Sequence, residues 1–219
     1  MTGIRLASFI GVLLALAQSS SAAPITWAFE GRIRGIGTAS PSTLATLSSL
    51  GVVVGSPFSG FLVFESSTPA SQSQPTLGLY PNSVLALQLS IGTYHVEMPP
   101  EASERTISVT NTTQPLRGEI TAFGIGNGAA LLLGTPIIHL SLVRQGGAFP
   151  TGALPVIPPA LSTLASYSSI FPGGSTFVGL IASDGQIAGE LTSLVAVPEP
   201  RVGSALSSLA LALFALRRR

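Results

Sequence analysis

The chain has 219 residues, 46% of them hydrophobic and only 9% charged, with a formal net charge of +1. All ten basic residues are Arg, nine residues are acidic and Cys is absent, which excludes disulfides, thiolate metal sites and thiol nucleophiles. Apolar content this high excludes wholesale disorder, near-neutral charge argues against a nucleic-acid partner, and the length fits one domain plus processing segments.

Residues 1–22 read as a signal peptide. Arg5 supplies the positive start, residues 6–17 form an apolar run, and residues 18–23 are small and polar. Ser20 and Ala22 meet the small-residue requirement at −3 and −1, which places cleavage between Ala22 and Ala23. The apolar run is shorter than the ~20 residues that a membrane span needs. Export is the expectation.

Residues 23–196 form the expected domain. Through residue 197 this body carries five Arg against eight acidic residues, a net −3, which disfavours bulk-charge attraction to anionic lipid or nucleic acid. Apolar residues recur with a period of two along it. Trp27, Phe29 and Ile33 share one face of a strand over 25–33, with Glu30, Arg32 and Arg34 opposite. Residues 58–65 are apolar on both parities, as in a central strand. Leu85, Leu87 and Leu89 are expected to point inward in 84–90, and Gly92-Thr93 allows a tight hairpin into Tyr94, Val96 and Met98. Further strands are expected over 105–110 and 137–143. Residues 176–182 and 186–195 should form a hairpin around Asp184-Gly185.

One helix is expected over 40–51, with Ser40 as N-cap, Pro41 in the first turn, Leu44, Leu47 and Leu50 as its apolar residues, and Gly51 as its stop. Residues 66–82 and 144–175 have loop composition. Short strands at such spacing predict an all-β fold, an antiparallel two-layer β-sandwich.

Residues 197–219 form a tail of three parts. Val197, Pro198, Glu199 and Pro200 come first, then the uncharged stretch 202–216, then Arg217, Arg218 and Arg219. As a helix the fifteen-residue stretch covers about 22 Å, short of a ~30 Å hydrocarbon core, a gap that thinning or Arg snorkelling closes. The Arg cluster resists translocation and should remain cytoplasmic. A short C-terminal membrane helix is therefore expected.

This tail, on a chain that opens with a signal peptide, resembles the PEP-CTERM sorting signal. The resemblance rests on Pro198, Glu199, Pro200 and Arg217 to Arg219, about a tenth of the chain; Arg201 and the lack of Gly late in the span depart from the usual pattern. It implies export in a Gram-negative bacterium and processing by the transpeptidase-like membrane enzyme exosortase. Segments 60–69, 154–161 and 189–194 also look like recurrent stretches of β-rich PEP-CTERM surface proteins. The implied localisation is an inner-membrane anchor before processing, then the cell surface or extracellular matrix.

Residues able to do chemistry are few. There is no Gly-x-Ser-x-Gly elbow, and Asp184 is better read as a turn residue. His95 should lie outward beside Glu97, and His139 sits between apolar neighbours. Two His are too few for a His-based zinc site, and Glu101 with Glu104 is too little for a calcium loop. The stretch 124–129 matches Gly-x-Gly-x-x-Ala but lacks the acid ~20 residues on that a dinucleotide site uses, so it reads as a glycine-rich turn. The expected function is a structural or interaction protein of the cell surface or matrix, non-enzymatic and without cofactor, metal or catalytic residue. The alternative is a secreted carbohydrate-binding module, with Tyr80 in a loop as stacking platform, or a glycan hydrolase acting on exopolysaccharide through two of Glu97, Glu119 and Glu190.

Overall fold

The computed structural model describes residues 23–37, 39–98, 102, 104–113, 116–125, 127–128, 137–151, 153–167, 176–182 and 185–198. The signal segment 1–22 and the tail beyond Pro198 lie outside the described residues. The strands are β1 (Ile25–Gly37), β2 (Pro57–Phe64), β3 (Gln72–Gln74), β4 (Leu77–Tyr80), β5 (Val84–Ile91), β6 (Tyr94–Glu97), β7 (Arg105–Thr113), β8 (Leu116–Ile125), β9 (Asn127–Gly128), β10 (Ile137–Gln145), β11 (Phe177–Ala182) and β12 (Gly185–Val197). One helix, α1 (Pro41–Ser49), joins β1 to β2, and Leu161–Thr163 forms a single 3-10 turn.

All twelve strands belong to one antiparallel sheet, which curls until it meets itself. They make up eight runs, because β2 and β3, β4 and β5, β6 and β7, and β8 and β9 are each one run broken once: both halves of a run pair with the halves of the same neighbouring run. Taken in chain order, each run pairs with the next. The last, β12, pairs with the first, β1. The ring of ladders is therefore closed, as in an up-and-down barrel. The expected two-layer sandwich is corrected to this single curled sheet. Alternation marks which face of a strand is buried, and it is silent on whether that face meets a second sheet or the far wall of its own.

Two strand regions were hidden in the sequence. The expected loop 66–82 contains β3 and β4, and β8 has no counterpart in the sequence reading. The inward residues of β8 are Gly118, Ile120, Ala122 and Gly124, so Ile120 is the one bulky residue on its buried face and the strand shows little periodicity. Gly124, Ile125, Asn127 and Gly128 are strand residues, which corrects the glycine-rich turn. In the last hairpin Ala182 pairs with Gly185, so Gly185 already belongs to the strand, and Asp184 lies outside the described residues.

The helix forms where expected. Ser40 accepts a hydrogen bond from the Thr43 N–H at 3.2 Å, and Gly51 ends the segment at φ +80°. Leu47 is fully buried over one end of the ring, whereas Leu44 faces solvent. This helix end also holds the turn at Gly92 (φ +56°), where Thr93 N–H donates to Leu50 O at 3.1 Å.

The opposite, terminal end is closed by the segment after β10. Asn111 clamps Phe149 from both sides: its amide N donates to Phe149 O at 2.8 Å, and its amide O accepts from Phe149 N–H at 3.0 Å. Tyr80 donates its hydroxyl to Thr151 O at 2.6 Å. Phe149 and Leu154 are buried there, and the chain then returns to β12 and β10, with Ala165 N–H donating to Val143 O at 2.7 Å.

Between the two ends lies one apolar core, which includes Trp27, Phe29, Phe58, Leu62, Phe64 and Leu87. Trp27 meets Phe64 edge-on at 5.1 Å, and Phe29 meets Phe58 at 6.4 Å. Glycines make room for these rings: Phe58 lies over Gly31 and Gly189, and Phe29 over Gly60.

Two expectations follow. A Cβ on Gly31 would collide with the Glu190 carbonyl and the Phe58 ring, so Gly31→Ala should destabilise the fold by about 1–3 kcal/mol, read from the urea midpoint. Asn111→Ala strands the buried backbone groups of Phe149 and should cost about 1–3 kcal/mol in the same assay.

Candidate functional site

Antiparallel pairing of the first and last strands decides where both ends of the body emerge. Thr26 pairs with Val197, so Ala23 and Pro198 leave from the same end of neighbouring strands, the end closed by Phe149 and Leu154. Ala23, Val197 and Pro198 are all exposed. Of the residues expected to direct processing, these three are therefore described and brought to one end, while Ala22, Glu199, Pro200, Arg217, Arg218 and Arg219 lie outside the described residues. No helix among the described residues is long and apolar enough to cross a membrane.

A second polar surface lies on the outer wall. The register places Ser193, Glu30, Ser59, Ser90 and His95 in one row across β12, β1, β2, β5 and β6. An open groove of about 540 Å³ runs beside it, with Glu30, Arg32, Ser59, Ser90 and Thr192 among its lining residues. His95 lies outward as expected, 3.7 Å from Glu97. Its Nδ1 is 2.9 Å from Ser90 Oγ, and its Nε2 is 2.6 Å from Gln88 Nε2. Gln88 and Ser90 thus engage both ring nitrogens of His95. Strand β5 also pairs on both sides, which commits the amides around Ser90 to ladders rather than to an oxyanion. The row is built to hydrogen-bond polar ligands or water. It was half legible: a two-residue hairpin loop at Gly92-Thr93 already puts Ser90 opposite His95.

The carboxylates of the alternative reading do not converge. Glu190 is bound by Arg34, whose Nε donates to Oε2 at 2.7 Å and whose Nη2 donates to the same oxygen. Glu119 accepts from Ser141 Oγ at 2.9 Å and from Thr121 Oγ1 at 3.3 Å. Glu97 pairs in register with Asn127. Asn127 lies eight residues along the run from Glu119, about 26 Å away at strand rise. Between Glu119 and Glu190, β10 and β11 intervene, a lateral separation of about 14 Å. Both separations exceed the ~5–9.5 Å of glycosidase pairs. Tyr80 is corrected from loop platform to buried strand residue, 1% exposed, and burial raises its phenol pKa. Trp27 is buried, as its parity implies.

His139 stacks edge-on against Phe177 at 5.0 Å. Burial lowers its pKa, and the nearby Glu119 carboxylate opposes that shift. Comparison with family models, curated proteins and solved structures finds no match.

The His139 environment has a consequence for stability. The folded state holds the imidazole neutral at pH values where an unfolded His, with its ordinary pKa of about 6.5, already binds a proton. Unfolding then takes up protons, so this contribution is present above the ordinary value and is lost as pH falls from there through the lowered folded value. The urea midpoint should fall across that window, and His139→Gln should fall less.

Proposed function

We propose that the chain is an exported structural or interaction protein of the cell surface or extracellular matrix, delivered through its C-terminal tail. The tail stops in the inner membrane and is processed there by an exosortase-type enzyme, which frees the body. The observation that carries this reading is the Thr26–Val197 pair. It brings Ala23 and Pro198 out at one end, which suits a body that turns that end to the membrane during both processing steps.

Local chemistry supports the same reading. Ala23 and Pro198 are exposed, so neither junction is buried in the body. Pro198 and Pro200 lack N–H donors and disfavour helix at the residues before them, which keeps the motif extended for a processing cleft. The barrel interior is filled by its own side chains, so an interaction role falls to the outer wall, where the Ser90–His95 row and its groove offer polar contacts. The scattered carboxylates and the buried Tyr80 give the glycan-hydrolase and carbohydrate-module alternative no comparable support.

Intact-mass measurement on protein recovered from the native envelope tests the proposal. The expected mature form begins at Ala23 and ends within residues 197–200, and P198A/P200A should accumulate the uncut form. A mature surface form that still carries Arg219 would overturn the sorting step.

A further inference from the structure

The segment that closes the terminal end is unusual in two respects. From Gln145 to Ser183 the sequence contains no charged residue. Within it, Val156 and Ile157 are 52% and 73% exposed, between Pro155 and the pair Pro158-Pro159. The anchors of the segment explain its position. Residues 149–151 are held at β7 and β4 by Asn111 and Tyr80, and Leu154 is buried in the core. By Leu161 and Leu164 the chain has reached β12, on the other side of the ring. Residues 155–160 are the crossing, at the terminal end, between the buried Leu154 on one side and the half-buried Leu161 on the other.

We infer that this crossing is a membrane-contact loop, and that Val156 and Ile157 enter the interface of the bilayer in which the tail is anchored. The inference rests on the tether reading above and adds a second contact to it. The occupant follows from where the chain goes: Pro198 leaves at this same end, and the apolar stretch 202–216 begins four residues later. So short a connection holds this end of the body close to whatever the tail enters. Val195 and Val197, 52% and 42% exposed, extend the apolar surface along the last strand towards that exit.

The chemistry of the loop suits the interface. Pro158 and Pro159 have no N–H to desolvate, and two large aliphatic side chains entering the headgroup boundary gain apolar burial. Arg144 stands on β10 at this end, the sign that anionic headgroups attract, and Glu65, bonded to Ser67, is an acid at the same end. At the helix end, the exposed Leu44, Val53 and Val54 have no such exit beside them.

Because the chain lacks Cys, single cysteines can be labelled without background. The full-length chain carrying Ile157→Cys, with an environment-sensitive fluorophore, is reconstituted into vesicles of phosphatidylethanolamine and phosphatidylglycerol, some with brominated acyl chains. Ala45→Cys, exposed on α1 at the opposite end, is the comparator. The label at 157 should shift to the blue and be quenched by bromolipid several-fold more than the label at 45. Equal, weak quenching on protein that still floats with the vesicles would overturn the loop contact and leave the tether reading standing. Failure to float would overturn both. A blue shift without vesicles that grows with protein concentration would mean a second copy covers the loop, and would overturn the bilayer contact.

Discussion

Space inside a closed ring of strands is the constraint on which the rest of this structure depends. Every inward side chain shares one lumen with those of all eight runs, so a large ring on one strand requires an absence on its neighbour. Phe58 occupies the room left by Gly31 and Gly189, Phe29 that left by Gly60, Met98 that left by Gly124, and Phe149 that left by Gly118. These glycines are needed for their missing side chain rather than for any unusual backbone angle. Closure also removes the long exposed edges that an open sheet would present.

Closing the ring leaves two ends to seal, and they are sealed by different means. At the helix end a short capped helix presses Leu47 down and is tied to the Gly92-Thr93 turn through Leu50 O. At the terminal end an irregular segment does the work, which requires its backbone polar groups to be satisfied individually. Asn111 and Tyr80 supply those partners from strand positions, and a 3-10 turn completes the return. Both ends thus combine apolar burial with directed hydrogen bonds, arranged around a capped helix at one and supplied by strand side chains at the other.

The same closure ties architecture to the proposed export route. With eight antiparallel runs in chain order, the first and last strands are neighbours and the two chain ends exit together. A signal segment and a sorting tail on such a body share one pole, which leaves the outer wall and the helix end free to face away from the membrane. The polar row from Ser193 to His95 lies on that wall, where Gln88 and Ser90 engage both ring nitrogens of His95.

By itself the sequence determined most of the local elements. Period-two alternation around Trp27, Phe29 and Ile33, the Ser40 cap with Gly51, and the Gly92-Thr93 turn are written in neighbouring residues, because they depend on backbone preference and on which face is apolar. The terminal motifs are likewise legible as short strings of Pro, apolar and Arg residues. Hidden were β4, set among turn-forming residues, and β8, whose inward Gly118, Ala122 and Gly124 erase the alternation. Only the tertiary structure decided that the strands close into one ring rather than stack as two layers, that Tyr80 is buried, and that Ala23 and Pro198 emerge side by side. The reason is physical: closure is set by the pairing of β1 with β12, whose partners lie 149 to 171 residues apart in the chain, and no local pattern encodes a partner at that distance.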